Sequence, residues 1–301
     1  MKKILLLLPV LLLVIAGCSN ITKPLNIQDV QKKLEALEEG AKIQVKELKA
    51  LNDYIPGYSY VKVDVSKDNQ TRSINLITNG QYIIQGDVLD LDDMSSLNDR
   101  LAFEFSEPKN IDVSKLTLAA GNKDAKNIIV EITDFQCPYC KSANEFLKEQ
   151  LKDKKDYALY IMHLPITAMH PNARVMAQVY EAGKIMGNDF KDELFQADYI
   201  AILESKITKL QGEGVQFDQA KLAEIVEVIN NEIIDKYAAK TSDAEKFKQL
   251  VKSEEVAKIV DNCVAQTEEL GEHSTPSFYI NGKNISGFNS ELLSNEIDKI
   301  K

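Results

Sequence analysis

The sequence predicts an α/β protein preceded by a smaller α+β segment, and three observations carry that expectation. First, "NIIVEITDF" (127–135) and "YALYIMHLP" (157–165) are near-continuous apolar runs, as expected of strands buried on both faces, and "CPYCKSANEFLKEQLKD" between them has a helical pattern. Second, residues from about 171 to 270 are almost wholly helical in pattern, as in "PNARVMAQVYEAGKIMG" and "KLAEIVEVINNEIIDKYAAK". Third, "PSFYINGKNISGF" returns to strand–turn–strand with Asn281-Gly282 at the turn, and a last helix over 289–300 closes the chain.

From the start, "MKKILLLLPVLLLVIAGCSN" places Lys2 and Lys3 before an uncharged run, Ile4 to Ala16, that is too short for a stable bilayer span. It reads as a secretory signal over 1–17, to be set apart from the fold; an anchor helix is the alternative. "IAGC" resembles a bacterial lipobox, which implies cleavage before Cys18, a lipid on its sulfur and attachment to the membrane through lipid only.

Residues 19–26 read as a tether. From Asn26 to Leu51, Val30, Leu34, Leu37, Ala41, Gln44, Leu48 and Leu51 follow alternating four-three spacings, so one helix is expected there, packed either on its own domain or against a second subunit. "YSYVKVDVS" and "RSINLITNGQYIIQGDVLDL" read as strands, with a hairpin turn at Asn79-Gly80. The first domain, 25–92, is therefore a helix plus a small antiparallel sheet, and it holds no His or Cys. "LDDMSSLNDRLAFEFSEPKN" reads as a linker helix within 93–111 ending near Pro108. The second domain occupies 112–301.

Composition narrows the function. A length of 301 residues favours two domains. A net charge of −10, with only Arg72, Arg100 and Arg174 as arginines, argues against nucleic-acid partners. If Cys18 carries lipid, Cys137, Cys140 and Cys263 remain, in a compartment where disulfides persist. A zinc site fits poorly, because there is no second Cys-x-x-Cys and His163, His170 and His273 show no ligand spacing. Cys263 falls on the apolar face of "EEVAKIVDNCVAQTEEL", as a buried inert thiol would.

"DFQCPYC" alone leaves half a metal site, a structural bridge and a redox pair open. Its placement favours the last. Cys137 follows a buried strand and precedes a helix, and Pro138 suits the first helical position. The N–H groups of Tyr139 and Cys140 then face the Cys137 sulfur and stabilise a thiolate, the attacking species in disulfide exchange. Cys140, one turn further in, is the buried second thiol.

"EITDFQCPYC" followed far downstream by "ELGEHSTPSFYING" resembles the thioredoxin superfamily, in particular its DsbA-like branch, over about residues 112–301. The resemblance implies a thioredoxin fold with an inserted helical domain at about 171–270, and "HPNARVMAQVYEAG" is similar to the first inserted helix. It implies that Glu131 is a carboxylate beneath the disulfide assisting proton transfer for Cys140. It also implies a cis Thr275-Pro276 bond offering backbone to an extended substrate beside Cys137. "INLITNGQYIIQGDVLDL" resembles the dimerisation domain of DsbC and DsbG, which implies a homodimer.

The reading that follows is an exported, lipid-anchored thiol–disulfide oxidoreductase on the periplasmic side of the inner or outer membrane. Its expected partners are unfolded or misfolded exported proteins and a membrane redox protein that resets the pair, with no cofactor. A DsbC/DsbG-like isomerase or reductase is the alternative. A chaperone or binding lipoprotein whose pair is only structural is the third.

Overall fold

The computed structural model describes residues 25–37, 40–67, 70–84, 86–91, 94–213 and 218–301; the expected signal segment and Cys18 lie outside them. The chain forms two compact units that divide between Gly86 and Asp87.

In the first unit, α1 (Ile27–Glu35) starts at Asn26, whose side chain accepts the Asp29 N–H. Strands β1 (Lys42–Ala50), β2 (Ser59–Lys67), β3 (Gln70–Thr78) and β4 (Ile83–Ile84) form one antiparallel sheet in that order. Val30, Ile43, Val45, Val61 and Val63 make its core. The single helix expected over 26–51 is corrected: it stops at Glu35, and its second half is β1. Gly40 adopts a left-handed φ of 80° that breaks the helical path. Beyond it, "KIQVK" alternates with a period of two, so Ile43 and Val45 face the core while Lys42, Gln44 and Lys46 face out. The expected turn is present: Thr78 pairs with Ile83, and the Asn79 side chain accepts the N–H groups of Gln81 and Tyr82.

The second unit opens with α2 (Leu97–Glu104), whose Leu97, Leu101 and Phe103 are buried, so the segment expected as a linker carries a packed helix. Next come β5 (Thr117–Gly121), β6 (Asn127–Thr133), α3 (Pro138–Leu151) and β7 (Tyr157–His163). The helical block is α4 (Ala173–Ile185), α5 (Lys191–Gln196), α6 (Tyr199–Gly212), α7 (Gln219–Ala238), α8 (Ala244–Val251) and α9 (Glu254–Leu270). Strands β8 (Ser277–Ile280) and β9 (Lys283–Ser286) and helix α10 (Ser290–Asp298) complete it.

The sheet order is β5-β7-β6-β8-β9, with β6 and β7 parallel and the other pairs antiparallel. β6 is central, which explains its apolar run. One core joins Ile129, Leu147, Leu159, Phe278 and Leu293, from the sheet, α3 and α10. Another joins Val130, Ile132, Met162 and Tyr279 to Cys263 of α9. Asn281 and Gly282 both have positive φ, 51° and 83°, as a two-residue hairpin turn requires. A Cβ on Gly282 would lie 2.6 Å from the Lys109 carbonyl oxygen, so only glycine fits there.

The strand assignment of 42–50 makes a direct expectation. Ile43→Ala should destabilise the first unit by about 2–5 kcal/mol in denaturant unfolding, and Gln44→Ala should change it by less than ~0.5 kcal/mol. The reverse ranking would restore the helical seam.

Candidate active site

The site is built around the turn between β6 and α3. Cys137 occupies the N-cap position with extended backbone (φ −76°, ψ 122°), and Pro138 is the first helical residue. The Cys137 N–H donates to the Asp134 carbonyl at 3.0 Å, and the Cys137 carbonyl accepts the Lys141 N–H at 3.1 Å. Asp134 is buried, and its carboxylate ties the turn from inside. Oδ1 accepts the Gln136 N–H at 2.8 Å; Oδ2 accepts the Ile166 N–H at 2.9 Å and lies 2.8 Å from His170 Nδ1. Gln136 Oε1 accepts the Asn172 N–H at 2.7 Å, and Asn172 Nδ2 donates to Asn230 of α7. The turn is therefore fastened to the segment that opens the helical block.

The two thiols differ sharply. Cys137 is 6% exposed and Cys140 is fully buried. The Cys137 thiol is lowered to about 6: the Cys140 thiol donates to it first, burial opposes, and the Cys140 N–H, the Thr275 side chain and the Tyr139 N–H add to the lowering. A fall of that size corresponds to roughly 4 kcal/mol, more than a helix dipole of about 0.3–2 kcal/mol supplies, so direct hydrogen bonds carry most of it. Cys140 moves the other way, raised by burial first and then by Cys137.

The Thr275-Pro276 bond is cis. The Thr275 carbonyl oxygen lies 3.6 Å from Cys137 Sγ, within reach of the protonated thiol as donor. Pro138 and Tyr139 are exposed, Tyr139 at 69%, and form the surface beside the sulfur. On the other flank a groove of about 330 Å³ runs from Cys137 and Pro138 along Phe135, Gln136, Phe195 and Tyr199.

Glu131 is fully buried in β6, between Ile161 of β7 and Phe278 of β8. It is no solvent-facing edge residue. Lys191, at the start of α5 and almost fully buried, donates from Nζ to Glu131 Oε2 at 2.9 Å. Such a pair is costly to break, because one buried charge would be left alone. Sequence reasoning missed Lys191, which sits in "NDFKDELF" with no periodicity to separate it from solvated lysines. It also missed Asp134 and His170. The only signal was an aspartate two residues before Gln136, a spacing at which Asp side chains bond their own backbone.

His163, read only as a strand residue, lies buried with Nε2 2.7 Å from Glu181 Oε1, and its ring packs against Phe135 and Tyr180. Cys263 is fully buried, and burial pushes its thiol up to about 12. Among the described residues no three His, Cys, Asp or Glu side chains converge to hold a metal ion.

Comparison with known proteins adds a family. A family described as Thioredoxin matches residues 114–299. A Na(+)/H(+) antiporter NhaA 1 of Salinispora arenicola is 26% identical over 175 residues, 58% of this chain; the chain spans only 23% of that relative's length. A "Probable disulfide bond formation protein D" of Bacillus cereus is 26% identical over 187 residues, covering 60% of this chain and 76% of the relative. The oxidised crystal structure of BdbD from Bacillus subtilis covers 64% of this chain and 95% of its own at 18% identity and a TM-score of 0.43.

The opposed shifts set the pH behaviour. Alkylation of the reduced protein should label Cys137 first, with half-maximal rate near pH 6, and leave Cys263 unlabelled in the native state. The reduction potential should fall by about 59 mV per pH unit below that point, where two protons accompany two electrons, and by about 30 mV above it. A single slope through pH 6, or first labelling at Cys263, would contradict the geometry.

Proposed function

The chain belongs to the thioredoxin family, and on that premise we propose that it is an exported, lipid-anchored thiol–disulfide oxidoreductase that forms disulfides in extracytoplasmic proteins. The observation that carries this reading is the Cys137–Cys140 pair itself, with a lowered thiol at the helix N-terminus and a raised one beneath it. The name of the Bacillus cereus relative supports the same chemistry.

The step runs as follows. A substrate thiolate, its proton lost to water, attacks Cys137 Sγ of the oxidised pair. The Cys137–Cys140 bond breaks, a mixed disulfide forms, and the electron pair goes to Cys140. A second substrate thiolate then attacks the substrate sulfur of the mixed disulfide and leaves with the new bond, releasing Cys137 as thiolate. Two electrons pass from substrate to the pair. Cys140 is the leaving group in this direction; its own attack on Cys137 returns the substrate reduced. Thr275, before Pro276, is the backbone beside which an extended substrate adds. A membrane redox partner takes the electrons and resets the pair. A Cys137 thiol near 6 lies between thioredoxin-like and DsbA-like values, which favours the reducing end of a potential range of roughly −200 to −100 mV.

A second reading, disulfide isomerisation by a dimer, is supported by the first unit. Its four-stranded sheet leaves edges open to pairing, and Leu37 and Tyr82 stand exposed on it at 71% and 60%, as a surface that pairs with a second copy would present. Both activities would then coexist, with oxidation dominant.

Cys140→Ala should trap Cys137 in a mixed disulfide with a reduced, unfolded substrate added together with an oxidant, visible by non-reducing gel, whereas Cys137→Ala should trap none and lose oxidation of a dithiol peptide by at least a hundredfold. Trapping on Cys263 instead would defeat the reading. Native mass and scrambled-substrate refolding should show a dimer with isomerase activity, and Cys18→Ala should release the chain from the membrane fraction. A monomer would remove the isomerase reading, and membrane retention of the variant the lipid anchor.

A further inference from the structure

The oxidoreductase reading leaves a buried group beneath the reacting sulfurs without a task. Thr133, the last residue of β6, is fully buried. Its backbone is already secured, because its carbonyl accepts the Leu164 N–H at 2.9 Å. Its hydroxyl meets no partner in regular hydrogen-bond geometry, yet it lies close enough to Cys140 to favour ionisation of that thiol. A buried polar atom without a partner costs about 1–3 kcal/mol, and a valine would fill the same space in the same strand without that cost.

The geometry points to Thr133 as a further catalytic residue, whose hydroxyl donates a hydrogen bond to Cys140 Sγ as that sulfur becomes a thiolate. This rests on the oxidoreductase function proposed above. Cys140 is fully buried in the first turn of α3, after the turn that follows Thr133, so its charge is not stabilised by surface water. Of the influences on its thiol, burial and Cys137 act against ionisation, while the Thr133 hydroxyl and the Asp134 N–H act for it. Cys137 has a counterpart: the Thr275 hydroxyl, also buried and without a hydrogen-bond partner, favours the Cys137 thiolate. Each sulfur thus has a threonine hydroxyl of its own, one at the surface side and one beneath.

The role belongs to a defined step. When a substrate thiolate attacks Cys137 Sγ, the Cys137–Cys140 bond breaks and its electron pair settles on Cys140 Sγ. A thiol of lower pKa leaves faster, so a donor aimed at that sulfur lowers the barrier. Thr133 keeps its proton throughout, and Cys140 afterwards takes one from solvent. By microscopic reversibility the same bond assists the Cys140 thiolate when it attacks Cys137.

The test uses the oxidised full chain and a peptide with a single cysteine, so that reaction stops at the mixed disulfide. Its rate of formation is followed for the wild type, Thr133→Val, Thr133→Ala and Thr133→Ser. Both variants without the hydroxyl should react about tenfold more slowly, and Thr133→Ser should restore the rate to within about twofold. The alkylation midpoint of Cys137 should stay near pH 6 in all of them. Wild-type rates in the valine and alanine variants, or a serine variant as slow as valine, would overturn the assignment. A wild-type chain that forms no mixed disulfide would instead overturn the oxidoreductase reading, and this assignment with it.

Discussion

The placement of Cys137 depends on one carboxylate. Asp134 receives N–H groups from Gln136 on its own turn and from Ile166 across the sheet, and it meets the His170 ring. Its backbone carbonyl takes the Cys137 N–H. Hydrogen bonds to a charged group stabilise by about 1.5–3 kcal/mol each, so this small cluster fixes the conformation of the turn that carries Cys137. Without it, the end of a central strand would have no reason to stop and present a cysteine at a helix start. The Gln136–Asn172–Asn230 chain extends the same fastening into α7, so the helical block and the strand–helix turn are one mechanical piece.

Charge beneath the site is managed by pairing. Glu131 in the middle of a five-stranded sheet would be prohibitive alone, and Lys191 makes it tolerable by reaching in from α5. The aromatic group of Phe135, Tyr180 and Phe195 surrounds the other buried pair, His163 with Glu181. Both pairs join the sheet to the inserted helices. The insertion is therefore more than a lid, because it supplies the partners that β6 and β7 need in order to carry polar residues in their interiors.

What the sequence made legible follows from the range of the signals. The two central strands, the helix after Cys137, the helical block and the Asn281-Gly282 hairpin rest on local patterns, and they stand where those patterns put them. β1 was misread because apolar residues spaced three and four apart also admit an alternating reading, and only Gly40 marks the break. β5 left no trace: "TLAAG" is short and half-buried, and it is held by pairing with β7 rather than by its own composition. In the site, the cysteines and the proline pair were visible as motifs. Lys191, Asp134 with His170, and Glu181 with His163 were not, since each depends on two segments 18 to 60 residues apart meeting in space.

Cys263 bears on how such a chain matures. Three thiols among the described residues admit three different single bridges, and only one of them, Cys137 to Cys140, is the pair on which the proposed chemistry depends. Local spacing favours that bridge, but in an unfolded chain any two of the three thiols can meet before spacing has had its full effect. Helix α9 closes the choice by sinking Cys263 between β6, β7 and β8, where it is neither ionised nor reachable. Packing here serves as a protecting group does in synthesis: it masks one nucleophile and leaves the other two to pair with each other.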